Sequence, residues 1–178
     1  MNKRISTFLC MATLLAFGSE AQAASVSATA TATVRGAISI SNIGNGGSAT
    51  PSNLAFGTIT PSSTEGGTVT ISTDGVRSAG GGVTLVSSTV GAARFRVAGD
   101  TGLACTISLP ANGIVTITKG GGINMSINDF TSSLTGSSLT ISDSPSSNEF
   151  TVGGTLSLIA NQPSGDYSGT FTVTANYN

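Results

Sequence analysis

The chain has no histidine, no tryptophan and two cysteines, and it carries only seven basic and eight acidic side chains in 178 residues. Each scarcity excludes a class of chemistry. Without histidine there is no Ser–His or Cys–His nucleophile pair. With no histidine and so few cysteines, a zinc or iron site lacks its usual ligands. The sparse charge leaves no basic footprint for nucleic acid and no polybasic patch for an anionic membrane surface. No stretch approaches the ~20 consecutive apolar residues that a spanning helix needs.

What is present is glycine, 24 residues of it, with abundant Ser and Thr and runs of Val, Ile and Thr. The first 23 residues read as an export signal. Lys3 and Arg4 precede an apolar run from Phe8 to Phe17, and Ala21-Gln22-Ala23 supplies the small residues of a cleavage site. Removing them takes away Lys3, Arg4, Glu20 and Cys10, so the remainder holds five basic and seven acidic residues and the single Cys105. An intrachain disulfide is then impossible, and Cys105 in "LACTISLP" reads as a small buried hydrophobe. Sheet packing has to stabilise the fold alone.

Helical periodicity is missing from the rest, while period-two alternation recurs. "VSATATATV" (26–34) and "AISIS" (37–41) form an N-terminal strand arm over 24–41, followed by the polar loop "NIGNGGSATPSN". Then come "LAFGTI", "GTVTIST", "GVTLVS", "ARFRVAG", "CTISLP", "GIVTIT", "INMSINDF", "SLTIS", "EFTVGGTLSLIA" and the closing segment, divided by Gly, Asn, Asp, Pro or Ser clusters. This spacing predicts one all-β domain over 42–178, an antiparallel immunoglobulin-like β-sandwich. Phe95, Val97, Ile107, Leu109, Val115 and Ile117 are the expected inward-facing residues.

The motifs that hint at catalysis have simpler readings. Asp100-Thr101-Gly102 matches the D-T-G of aspartic proteases, but "AGDTG" also suits a tight turn, and a protease needs a second carboxylate to share the proton. Lys119 in "TITKGGG" is the only lysine left for a Ser–Lys dyad, and it sits where a strand runs into a glycine turn. "SAGGG" and "KGGG" lack the Lys-Ser/Thr ending of a phosphate loop and read as hairpin turns. The carboxylates Asp74, Asp129, Asp143, Glu149 and Asp166 do not recur at calcium-loop spacing. No enzyme, metal site or cofactor is expected.

The two ends stand out. The arm alternates Val26, Ala28, Ala30, Ala32 and Val34, and the closing "GDYSGTFTVTANYN" alternates Phe171, Val173, Ala175 and Tyr177 after Gly165. Both are long, nearly uncharged and free of proline, so each must be paired within its own sheet or meant for pairing with another molecule. The closing segment resembles the C-terminal strand of chaperone–usher pilins, in which a glycine about fourteen residues from the end, alternating apolar residues and a penultimate aromatic form the segment a chaperone grasps. It is also similar to spore coat protein U-like domains. "LAFGTI", "FRVAG", "TISLP", "FTVGGTLSL" and "YSGTFTVTANYN" together resemble a family of small exported bacterial β-domains of unknown function.

The pilin resemblance implies a pilin-like sandwich lacking one strand, completed by the arm of the next subunit after release from a periplasmic chaperone at an outer-membrane usher. Val26, Ala28, Ala30, Ala32 and Val34 would then be the donor residues, and Gly165, Phe171, Val173, Ala175 and Tyr177 would border the groove. The expectation is a structural subunit of a surface fibre or coat, passing through the periplasm to the cell surface or medium, with itself as main partner. The alternative is a monomeric surface or matrix module that binds a glycan or protein with a self-complete sandwich. Tyr167 would be its best aromatic platform, although a core or corner position suits that tyrosine better.

Overall fold

The computed structural model describes residues 23–43 and 53–178; the signal segment up to Gln22 and most of the polar loop lie outside the described residues. The chain divides into two units, Met1–Thr33 and Val34–Asn178. Of the first, residues 23–33 are described, and they are exposed and take up no regular secondary structure. Alternation makes a strand possible, but a strand also needs backbone partners, and small Ala side chains add little burial to draw them in.

The second unit is all-β and antiparallel, a curled half-barrel. Its largest sheet has β1 (Ser39–Asn42), β6 (Ala93–Ala98), β11 (Glu149–Leu158), β3 (Gly67–Ile71) and β4 (Arg77–Gly81) in that order, with β8 (Val115–Thr118) and β9 (Asn124–Ser132) joined through β11. Strand β11 is its axis. Val152 faces both Ser132 and Ala93, and Thr155 faces both Asn128 and Thr70. β9 therefore runs along one edge of β11, while β3 and β6 lie end to end along the other.

A second sheet has β10 (Ser138–Thr140), β7 (Ala104–Ser108) and β12 (Thr174–Tyr177), and a small pair joins β2 (Ile59–Pro61) to β5 (Val83–Leu85). The expected strands from "GTVTIST" onward are all here, most of them trimmed, while β7 begins one residue earlier and β9 runs on to Ser132. "LAFGTI" is strand only at Ile59, with an isolated bridge between Ala55 and Gly91. "SAGGG" departs from the turn reading. Residues Arg77–Gly81 form the edge strand β4 against β3, and only at Gly81, with φ of 67°, does the chain turn. Glycine-rich edge strands bury little, so alternation does not reveal them. The arm assigned to 24–41 also divides, since Ser39–Ser41 belong to β1 and pair with Ala98, Val97 and Arg96.

The core follows the alternation. Val97, Ile107 and Val115 are buried, as is Phe95, while Leu109 and Ile117 are half-buried and pack against the two core clusters. Phe95 stacks on Phe150 with ring centroids 5.6 Å apart. Cys105 is fully buried and free, and burial pushes its thiol above the ordinary value, partly offset by a backbone hydrogen bond at Leu139. On the opposite face of β6, Arg94 and Arg96 both bind the carboxylate of Glu149.

The Arg96 hydrogen bond, with help from Arg94, holds the Glu149 carboxyl below the usual glutamate range against an opposing desolvation penalty. A carboxyl whose folded pKa is depressed contributes stability above its unfolded pKa of about 4.3 and loses it as pH falls through the folded value. Glu149→Gln should therefore melt lower than the wild type at neutral pH. The gap should close as pH drops below the ordinary glutamate value. Melting curves from pH 7 downward check this, and a gap that stays constant with pH would contradict it.

Candidate functional site

The C-terminal segment positions the most distinctive feature. Val173 and Ala175 are buried in the core, and Phe171 and Tyr177 pack against it, so all four apolar residues of the segment point inward as their alternation demands. Tyr177 accepts a 2.7 Å hydrogen bond from the Asp100 backbone N–H, and its hydroxyl fills the space where Gly99 has no Cβ. Asp100 in turn accepts a 2.8 Å bond from the N–H of Gly36 through its carboxylate. The D-T-G motif is thus a turn that carries the chain from β6 in the large sheet to β7 in the second sheet, tying the start of the folded unit to its last strand.

On one side β12 pairs with β7, Thr174 opposite Ser108 and Tyr177 opposite Cys105. Extending that register backward places Thr172 opposite Pro110. Proline has no N–H to donate, so the ladder stops there. Residues 169–173 carry no strand assignment, although they are as β-prone as those that follow. On its other side β12 has no strand partner among the described residues.

Beside this segment lies a cleft of about 1060 Å³. Its floor is the inner face of the large sheet, with Phe95, Ile117, Met125, Ile127, Leu156 and Leu158. One wall is the stretch 53–61 and the other is 162–171. The cleft is therefore an open seam between these two stretches. Ile40 of β1 packs against the core cluster that contains Ala175 and that Tyr177 also meets. Asn42, the last residue of β1, lines the cleft. The terminal strand is thus paired with β7 over 174–177, while 165–171 line the open cleft. That open length is about 20 Å of extended chain.

Both walls are fixed by polar clamps. Arg77 donates to the carbonyls of Phe56, at 2.9 Å, and Val86, at 2.6 Å, with further bonds to the Thr58 carbonyl and the Ser88 hydroxyl. Gly57 sits at φ 72° where any Cβ would strike Ser88, Arg77 and Val90. On the other wall, Tyr167 donates to the Pro163 carbonyl at 2.7 Å and accepts from Gln162 at 3.0 Å. Tyr167 is therefore a corner tyrosine. Lys119 donates to the Ser164 carbonyl at 2.7 Å, and its chain lies against Gly165, whose φ of 144° suits only glycine. Thr118 and Ser168 exchange backbone bonds of 2.9 and 3.0 Å.

Of the residues singled out in the sequence, Gly165 and Phe171 line the cleft, while Val173, Ala175 and Tyr177 lie outside its lining. Val26 and Val34 are 97% and 93% exposed, and Ala28, Ala30 and Ala32 are exposed as well. The floor residues Met125, Leu156 and Leu158 were not legible as a shared surface, because β9 and β11 bring them together from separate parts of the chain. The backbone of 169–173, the apolar floor and the clamped walls together offer what an extended peptide needs, hydrogen-bonding groups on one side and apolar pockets below. Among the described residues, no group of three or more metal-ligating side chains converges, and no helix is long and apolar enough to cross a membrane. The model of a family described as a domain of unknown function matches residues 47–177. No curated protein and no solved structure matches the chain.

Proposed function

We propose, for a chain that belongs to the family of the domain of unknown function DUF4402, a role as an exported structural subunit that assembles into a surface fibre or coat by β-strand addition. The observation that carries this reading is the open apolar cleft alongside the unpaired stretch 169–173. An isolated strand edge beside an apolar floor is a liability in a monomer and a template in an assembly. The resemblance of "GDYSGTFTVTANYN" to the pilin C-terminal strand supports the same reading, with an incomplete immunoglobulin-like sandwich as the finer description of the fold. A periplasmic chaperone would cover the cleft in transit, and an outer-membrane usher would direct the exchange.

The occupant we favour is the stretch 24–35 of a second copy. Ala at alternate positions suits a shallow cleft, because each buried CH₂ contributes only about 0.8 kcal/mol while backbone bonds set the register. The geometry of β1 favours a neighbour over self-insertion. The chain enters β1 at the pole where Gly36 binds Asp100, and β1 then runs from that pole toward the cleft. To occupy its own cleft the arm would have to double back along β1.

The experiment is the size of the purified mature protein, before and after heating in SDS. A ladder of oligomers that resists SDS without heat and collapses on boiling is expected. A clean monomer at high concentration would overturn the proposal and favour the monomeric binding module instead.

A further inference from the structure

We propose that Asn112 is a deamidation site whose chemistry is held off by a side-chain latch, and that its conversion to aspartate would turn the latch from attraction to repulsion. The sequence places Asn112 directly before Gly113, in the loop between β7 and β8. An Asn–Gly pair is the most exposed to this reaction, because glycine has no side chain to hinder its own amide nitrogen. The Gly113 nitrogen loses its proton and attacks Asn112 Cγ. A C–N bond forms, the Cγ–Nδ2 bond breaks, and ammonia leaves. Water then opens the resulting succinimide to aspartate or isoaspartate, so the net change is one water in and one ammonia out, with no redox partner.

The structure places restraints on both reacting atoms. Asn112 Nδ2 donates to Asp129 Oδ1 at 2.8 Å, and Asn112 Oδ1 accepts from the Asp129 backbone N–H at 2.7 Å. The Gly113 N–H is itself donated to Asn128 Oδ1 at 2.8 Å. A donated N–H is harder to deprotonate, and a side chain held at both ends of its amide is slow to swing onto the next nitrogen. The latch joins the loop to an irregular point of β9, where Asp129 sits at φ 50° and the register with β11 shifts between Gly153 and Thr155. Deamidation removes the Nδ2 donor and sets a second carboxylate against Asp129. The loop it would release carries Leu109, Pro110 and Ile114, which line a smaller cleft against Thr170 and Thr172 of the C-terminal segment. Age of the folded protein would thus register in the flank of that segment.

Mature protein is incubated at mildly alkaline pH, native or in denaturant, and amide-to-acid conversion at residue 112 is followed by peptide mapping. The chain's other Asn–Gly pair, Asn45-Gly46, lies outside the described residues and is resolved as a separate peptide. Conversion at Asn112 is expected to be about tenfold or more slower in the native protein than in denaturant, as for other groups released by local opening. Asn128→Ala, which frees the Gly113 N–H, should move the native rate toward the denatured one. Equal native and denatured rates, or an unchanged rate in a folded Asn128→Ala variant, would overturn the inference. If Asn128→Ala does not fold, Asn112→Asp replaces it. That variant should melt lower than wild type, and adding Asp129→Asn should restore the melting temperature by reversing donor and acceptor. An Asn112→Asp protein as stable as the wild type would refute the latch.

Discussion

Deletion of residues 24–35 is expected to abolish the oligomer ladder completely while leaving a folded, exported core. The cut is chosen from the structure. Gly36 and its bond to Asp100 survive, as does β1 with its pairing to β6. The deleted residues are exposed and take up no regular secondary structure, so the core should unfold at nearly the same denaturant concentration as the intact subunit held monomeric. A synthetic peptide of residues 24–35 should then bind the truncated core and raise its stability by mass action, about 2.7 kcal/mol at a hundredfold excess over Kd. Thermal melts with and without peptide measure this. Truncated protein that still polymerised would remove the arm from the mechanism, and a peptide without effect on melting would mean that the cleft takes something else.

Phe150→Ala should bring the largest loss of stability of any single core truncation. Its ring is 2% exposed, lies on the central strand β11 and stacks on Phe95, which also meets Phe171 edge-on at a centroid distance of 6.1 Å. Removing a buried phenylalanine of this kind costs about 3–5 kcal/mol, from lost transfer energy and from the cavity left behind. Against a typical total of roughly 5–15 kcal/mol, that is a large fraction. Urea unfolding of the monomeric core should show a much lower midpoint with little change in slope, and a midpoint within a few tenths of molar of the wild type would contradict it. Phe171→Ala should cost less, because its ring is half-exposed at the cleft.

Much of the strand content was legible because period-two alternation in a low-charge chain admits few other solutions. "ARFRVAG" buries every second residue, "INMSINDF" does so up to Ile127, and "EFTVGGTLSL" does so on either side of the buried pair Gly153-Gly154. Two features were not legible, for different reasons. β4 was missed because "RSAGG" has almost nothing to bury, so it is a strand only because β3 offers it an edge. The arm differs in the opposite sense. "VSATATATV" has the pattern of a strand, but pattern supplies no hydrogen-bond partner, and residues 26–34 carry no strand assignment.

The candidate site divides in the same way. The inward set Phe171, Val173, Ala175 and Tyr177 follows from spacing alone, whereas the need for glycine at 165 comes from its φ of 144° and the Lys119 chain packed against it. Which part of that segment lacks cover depends on contacts between residues far apart in sequence. Pro110 ends the ladder opposite Thr172, β7 pairs with the segment only over 174–177, and Arg77 and Lys119 hold the two walls from separate parts of the chain. By itself the sequence determined that the chain is antiparallel β-structure with two strand-like ends, since alternation and turn residues act over neighbouring positions. Only the tertiary structure decided that the C-terminal segment is paired over 174–177 and open along the cleft before it, because an edge is defined by what stands beside it.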